Sequence, residues 1–365
     1  MSDSGSARVP TIIDIARELG ISKSVVARAL SGTGSVKEET RQRVLETARR
    51  LGYVKNAMAQ GLVAQRTRTI GVLVHDAASP FYGSLHAAAQ RRAAERGYRV
   101  VTAMGNQQLA DEHRALETLL SLRVDGLIVA SGLLPTADIE PFVTRAPTVV
   151  AGRPEHGDLV GSVHCDEQDG PAQLVEHLML LGHRTVAVLC VPESISYTMH
   201  LRSESMVERL RERGARPIRL RADPASLYTQ PGVRSLLDRH PEATALMCPS
   251  DALMVGALEE LRMLGADVPG RMSVTGYDGM KPLSAPFLGL TTLRQSLEGI
   301  GRHAVDALVE LIDRRDAARA ENGDGNGSGN VATSNGTSGL ARAQHIVLTG
   351  TLVAGRTTGP ATHLQ

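Results

Sequence analysis

The sequence predicts an α/β chain: an all-helical N-terminal head followed by a two-lobed body of parallel sheets. Three observations carry this reading. Helix caps and stops crowd the first fifty residues, apolar strands recur every 27 to 31 residues beyond Thr69, and positive charge concentrates at the front of the chain.

The head comes first. Thr11 stands before the apolar positions Ile12, Ile15, Ala16 and Leu19, with Asp14 three residues on in the spacing of a capping box. Gly20 ends this helix and the chain turns through Ile21. Ser22 caps a second helix over Lys23–Leu30, whose Val26, Ala29 and Leu30 can face inward. A third helix near Lys37–Leu51 has the stripe Val44, Leu45, Ala48 and Leu51 and stops at Gly52. Helix, tight glycine turn and second helix make a helix-turn-helix. Residues 1–70 hold twelve Arg and Lys against six Asp and Glu, although the whole chain is only +1. A basic head on an acidic body implies a polyanion partner for the head, the plainer alternative being a solvated helical surface.

The body alternates strands and helices. Strands start near Ile70, Tyr98 and Asp125, and a second series near Val186, Pro217, Thr244 and Ser273. Between them lie the helical patterns Leu85–Arg96, Glu112–Leu122, Pro171–Leu181, Arg202–Arg213 and Asp251–Leu264. This alternation implies βαβ units and parallel sheets. Two series imply two similar lobes, with a ligand crevice outside the carboxyl ends of the strands. Ala320–Gly339 is rich in Gly, Asn and Ser and is expected to be a disordered loop inserted before a last strand pattern at His345–Thr349.

Composition narrows the function. With 365 residues, 42% hydrophobic and 22% charged, the chain fits a globular protein of two or three domains. No apolar run approaches the roughly 20 residues of a membrane span, and the N-terminus has no apolar signal region, so a cytoplasmic location is expected. Cys165, Cys190 and Cys248 are odd in number and far apart, which predicts buried free thiols and neither a disulfide framework nor a metal cluster. There is no G-x-S-x-G, Walker-type loop or HExxH, and His164–Cys165–Asp166 lies on a strand pattern without metal-ligand spacing. No catalytic set, cofactor or metal is expected, and the chain is not read as an enzyme.

The segments themselves resemble a family. The head TIIDIARELGISKSVVARALSGTGSVKEETRQRVLETARRLGYVKNAMAQGL is similar to that of the LacI/GalR (lactose-repressor) family of bacterial regulators. The likeness continues through RTRTIGVLVHDAASPFY, VDGLIVA, LGHRTVAVL, PSDALMVGAL, SVTGYDGM, LTTLRQSLEGIGRHAVDAL and LTGTLVAGRTTGP, covering nearly the whole chain. It implies a helix-turn-helix domain at 1–54, a hinge helix and linker at 55–67, and a periplasmic-binding-protein-like body at 68–365. Lobe 1 is expected at about 68–167 and 296–320, lobe 2 at about 168–293 and 343–360. The implied function is a transcriptional regulator, a repressor by default, controlled by a small-molecule effector. Its partners would be a palindromic double-stranded operator and a second copy of the chain, with no membrane. The alternative is a cytoplasmic small-molecule-binding protein without operator-specific activity.

The resemblance also implies site residues. Lys23, Ser24 and Arg28 stand where the family reads its half-site. Lys and Arg suit guanine O6 and N7, each good contact being worth about 1–3 kcal/mol of discrimination. Thr11, Ser22, Lys55 and Asn56 match phosphate-positioning residues. In Asn56–Leu62, which resembles the hinge helix, Leu62 holds the wedge position and Ala59 lies beside the groove floor. Val25 and Ala27 depart from the family by replacing hydroxyl residues. Effector contacts are implied at Ser79, Phe81, Tyr82, Arg153, Arg202, Ser250, Asp251 and Asp278, with Gln295 on a crossover strand. An Arg fork and a carboxylate, Arg202 and Asp278, can hold vicinal hydroxyls or an ionised ligand group. Ser250 replaces the Asn usual in sugar-binding members, and Tyr228 is the aromatic nearest the family's stacking position at Leu227. A sugar, a purine and other small metabolites therefore all remain open.

Overall fold

The computed structural model describes residues 10–32, 34–54, 66–222, 231–323 and 343–362. Met1–Thr67 and Arg68–Gln365 form two separate compact units.

In the first unit α1 (Ile12–Leu19), α2 (Lys23–Ser31) and α3 (Glu38–Leu51) close around Ile15, Val26, Ala29, Leu30, Val44 and Ala48. The expected capping box is present: Asp14 accepts hydrogen bonds from the Thr11 backbone N–H (2.8 Å) and hydroxyl (2.7 Å). Gly20 takes a left-handed conformation (φ 64°), and the next residue, Ile21, donates to Ala16 O at 3.1 Å. That glycine lets the chain reverse between α1 and α2, because a side chain at this φ would be strained.

The second unit has two six-stranded sheets. Its elements in order are β1 (Thr69–Val74), α4 (Pro80–Glu95), β2 (Arg99–Met104), α5 (Leu109–Ser121), β3 (Gly126–Ala130), α6 (Thr136–Val143), β4 (Thr148–Ala151) and β5 (Gly161–Cys165). They continue with α7 (Asp169–Leu180), β6 (Thr185–Cys190), α8 (Tyr197–Glu212), β7 (Arg216–Arg221), α9 (Pro231–Arg239), β8 (Ala245–Met247), α10 (Asp251–Met263), β9 (Ser273–Asp278) and β10 (Thr291–Arg294). Last come α11 (Leu297–Gly323), β11 (His345–Leu348) and β12 (Thr351–Val353). The strand orders are β11-β5-β4-β3-β1-β2 in lobe 1 and β12-β10-β9-β8-β6-β7 in lobe 2. All pairings are parallel except β12 with β10. The central strands β1, β3, β4, β8 and β9 are buried at every position, as expected where helices cover both faces.

Two boundaries differ from expectation. The segment 343–360 was expected in lobe 2, but β11 joins lobe 1, pairing His345–Leu348 with Ser162–Cys165. Ser162 N–H donates to Gln344 O (2.9 Å), and Ser162 Oγ bonds His345 Nδ1 at 2.9 Å. The chain comes from α11, a lobe 1 helix, so the edge of β5 is the open ladder nearest to it. It crosses to lobe 2 only after Leu348. The loop expected from Ala320 also starts later, because α11 runs through Gly323; residues 324–342 lie outside the described residues.

Helix α11 packs on α4 and on β3, β4 and β5. Gly301 makes the close approach possible: a Cβ there would sit 2.6 Å from Leu85 O and 2.8 Å from Ala88 Cβ. All three cysteines are free thiols, Cys165 and Cys248 buried and Cys190 half-buried. Among the described residues no helix is long and apolar enough to cross a membrane, and no His, Cys, Asp and Glu cluster is placed to hold a metal.

Candidate functional site

Two surfaces gather the chemistry. On α2 the apolar positions Val26, Ala29 and Leu30 face the core, so Lys23, Ser24, Ala27 and Arg28 fall on the exposed face. Ser22 Oγ accepts from Val25 N–H (3.3 Å) and bonds Ser24 Oγ at 2.9 Å, fixing the first turn. Arg28 Nε donates to Ser24 O (3.3 Å), holding the guanidinium along the helix. Thr11 and Ser22 cap the N-termini of α1 and α2, where unsatisfied N–H groups and the helix dipole favour an anion. Lys55, Asn56, Ala59 and Leu62 lie outside the described residues, as do Leu227 and Tyr228.

The second surface is a cleft of about 840 Å³ between the lobes of the body. It opens where strands end: His75 follows β1, Ser131 follows β3, Gly152 follows β4, Ser250 follows β8, and Asp278 closes β9. In each sheet the strand order reverses here, between β1 and β3 and between β6 and β8, which is where open α/β sheets leave a crevice.

Of the expected effector contacts, Ser79, Phe81, Tyr82, Arg202, Ser250 and Asp278 line this cleft. Phe81 and Tyr82, in the first turn of α4, meet edge to face with centroids 5.1 Å apart. Burial raises the Tyr82 phenol above its usual range, with the nearby Glu112 carboxylate pushing the same way. Ser250 caps α10 by accepting from Leu253 N–H (3.2 Å).

Arg202 is buried, and its guanidinium closes on protein groups. Nε and Nη2 each donate to Glu167 at 2.8 Å, and Nη1 donates to Pro249 O (2.8 Å) and Asp278 Oδ1 (3.2 Å). The Tyr277 ring lies with its centroid 3.8 Å from the guanidinium carbon. Arg202 does not pair with the acids of its own helix; Glu204, for instance, pairs with Arg219. Gln295 also donates to Asp278 Oδ1 (2.7 Å). Asp278 has φ 110°, a conformation side chains rarely adopt and one that tends to persist at functional sites. Burial pushes its carboxyl upward, and Arg202 pulls it back.

Two expected contacts stand elsewhere. Arg153 does not line the cleft; it is buried against Glu155 (2.6 Å) with its guanidinium 5.9 Å from the Tyr197 ring centroid. Asp251 turns inward and accepts from Thr292 Oγ1 (2.6 Å) and Met280 N–H (3.0 Å). As the first residue of α10 it faces β10, where a Thr hydroxyl is available, and its neighbour Ser250 takes the cap. Burial raises the Asp251 carboxyl.

Sequence reasoning missed a second polar chain. His75 lines the cleft, packs against Tyr82 at 5.5 Å, and bonds buried Glu112 Oε1 through Nδ1 at 2.6 Å. Ser131 Oγ donates to Glu112 Oε2 at 2.6 Å and accepts from Leu133 and Leu134 N–H at 3.0 Å each. It also missed Glu167. Both His75 and Glu167 stand within two residues of a strand's carboxyl end, a position that flags candidates at a switch point.

A helix-turn-helix head and a two-lobed body with a crevice at the strand ends define a ligand-responsive DNA-binding regulator. Comparison with known proteins supplies the family. The bacterial regulatory proteins of the lacI family match at residues 11–56, and a periplasmic binding protein-like domain matches at 175–323. Catabolite control protein A of Priestia megaterium is 28% identical over 311 residues, covering 83% of this chain and 93% of that protein. The HTH-type transcriptional regulator GalR of Escherichia coli is 29% identical over 309 residues, covering 84% and 90%. The crystal structure of the lac repressor dimer bound to operator and the anti-inducer ONPF superposes with a TM-score of 0.79 at 25% identity, covering 96% of this chain and all of that one. The chain belongs to the LacI/GalR family of transcriptional regulators, whose members are DNA-binding proteins and not enzymes.

Proposed function

We propose that the protein is a cytoplasmic homodimeric repressor that binds a palindromic operator and whose grip is set by a small molecule in the interlobe cleft. The observation that carries this is that the chain has both an exposed polar face on α2 and a cleft at the strand ends of the body whose largely apolar lining carries a few polar groups. Lys23, Ser24 and Arg28 read base edges in the major groove, Thr11, Ser22, Lys55 and Asn56 position phosphates, and Leu62, with Ala59 beside it, wedges the minor groove between the two copies. The domain division follows: head 1–54, hinge 55–67 and body 68–365. In the body, Ser79, Phe81, Tyr82, Ser250 and Asp278 contact the effector, while Arg202, Arg153 and Asp251 hold the walls. Effector binding biases the lobes between two arrangements and so alters operator affinity, by a coupling of about 1–3 kcal/mol.

The test is selection of duplexes from a random pool at fixed salt, then affinity for the selected site with Leu62→Ala alongside. A palindrome whose binding weakens in the variant supports the reading. Salt-sensitive, sequence-blind binding would refute it.

A further inference from the structure

We propose that Glu167 sets the charge selectivity of the interlobe cleft: it holds the Arg202 fork away from ligand, so the cleft takes a neutral or cationic effector and rejects phosphate and carboxylate groups. This deepens the effector reading above and rests on it.

An arginine recognises an oxyanion through parallel N–H donors on one edge of its planar fork. Of the five N–H donors a guanidinium carries, four at Arg202 end on protein: two on Glu167, one on Pro249 O and one on Asp278. The edge formed by Nε and Nη2 is occupied by both Glu167 oxygens, and Tyr277 packs close to the guanidinium at 3.8 Å. An entering phosphate finds a fork that is already filled.

Charge points the same way. Arg202 is offset by Glu167 and Asp278, and Asp251 stands behind Asp278, linked to it through the Met280 and Gly279 backbone. Across the cleft are Asp76 and the imidazole of His75, which is backed by the Glu112 carboxylate. Among the described residues that line the cleft, Arg202 is the one permanent cation, set against Asp76 and Asp278, while Arg153 behind the wall is matched by its own partner Glu155. In a site partly closed to water such an excess disfavours an anion. Asp278 spends Oδ1 on Arg202 and Gln295, which leaves Oδ2 to accept from a ligand hydroxyl or ammonium.

The test uses the full-length protein and inorganic phosphate as the probe. Thermal unfolding is followed against phosphate with ionic strength held constant by chloride. Wild type should show no saturable stabilisation by phosphate. Glu167→Gln should acquire it, tighter by roughly tenfold or more, the scale of a charge-assisted hydrogen bond. The gain should vanish in Glu167→Gln/Arg202→Gln, which assigns it to the freed fork. Glu167→Asp, which keeps the charge, should remain blind to phosphate, and Glu167→Met, which removes it, stands in for Glu167→Gln should that variant not fold. Saturable phosphate binding by wild type that is lost in Arg202→Gln overturns the proposal. So does a folded Glu167→Gln that gains nothing, or a Glu167→Asp that gains as much. Because the readout is phosphate binding, it is separate from regulation. An operator affinity indifferent to every cleft ligand would sink the effector reading and leave this result standing.

Discussion

Arg202 should be far costlier to remove than Glu167, although the two share one ion pair. Both side chains are buried, at 3% and 5% exposure, and their contacts measure 2.8 Å. With an effective dielectric near 20, two unit charges at that distance attract by about 6 kcal/mol, most of which offsets the desolvation of the partners. What a substitution costs depends on what it strands. Glu167→Gln leaves Arg202 bonded to Asp278 and Pro249 O, so only the charge-assisted pair is weakened, a loss of about 1–3 kcal/mol. Arg202→Gln leaves Glu167 and Asp278 buried without a cation, with Asp251 close behind, and should cost about 3–5 kcal/mol. The double variant should recover part of that loss, because it removes one of the stranded charges. The deficit of Arg202→Gln should also depend on pH. Asp278 is already raised by burial, and losing Arg202 raises it further. A carboxyl raised in the folded state contributes stability below its unfolded pKa that is lost as pH rises through the folded value. The variant should therefore be closest to wild type in mild acid and fall away toward neutral pH and above. Urea unfolding followed by circular dichroism at several pH values measures all three variants. An Arg202→Gln within about 1 kcal/mol of wild type, or no worse than Glu167→Gln, would refute the reasoning, since buried carboxylates without a cation must show their cost.

Three further expectations test packing, titration and readout. Gly301→Ala gains roughly 1 kcal/mol of helix propensity, but its Cβ would lie 2.6 Å from Leu85 O and 2.9 Å from Ala89 N, atoms of the α4 backbone that cannot swing aside. Overpacking typically costs about 1–3 kcal/mol, so a lower melting temperature is expected, and a stabilised variant would show that α4 and α11 separate freely. Burial lowers the His183 pKa, its ring being bonded to Thr244 Oγ1 at 2.8 Å and Gly359 O at 3.1 Å. Its neutral form is the folded one, so the stability it contributes is complete above the unfolded value near 6.5 and is lost as pH falls through that range, at up to about 1.4 kcal/mol per pH unit. His183→Gln should flatten the slope of unfolding free energy between pH 6.5 and 5, and an unchanged slope would mean that His183 protonates without unfolding. Arg28→Ala should weaken the selected operator by about 1–3 kcal/mol while the salt slope hardly changes, as for a base contact; a slope reduced by about one unit, with equal loss on all duplexes, would make Arg28 a phosphate contact.

The fold was legible where local chemistry decides local structure. Thr11, Asp14 and Gly20 fix the ends of α1 through hydrogen bonds and φ that depend on a few neighbours, and α1 falls where they place it. The strands near Ile70 and Val186 were legible because a parallel strand covered on both faces is almost entirely apolar. β11 was assigned to the wrong lobe because its burial alternates between exposed and half-buried, and such a strand can pair with either sheet. What settles it is where α11 releases the chain, a fact of tertiary structure.

The site divides along the same line. Ser79, Phe81, Tyr82, Ser250 and Asp278 were legible as candidates through the family resemblance, which the stretches SPFY, PSDALMVGAL and SVTGYDGM carry. Glu167 was not, because its importance comes from meeting a guanidinium 35 residues away on α8. The same meeting alters what Arg202 means. Read from the sequence, it is a fork available for a ligand. In the fold it is filled from within the protein, and the group left to meet the ligand from this cluster is the Asp278 carboxylate. Selectivity in this cleft therefore follows from which partner reaches the guanidinium first, and a carboxylate held in place at 2.8 Å has the advantage over any diffusing anion, since its ordering cost is met on folding and not on binding.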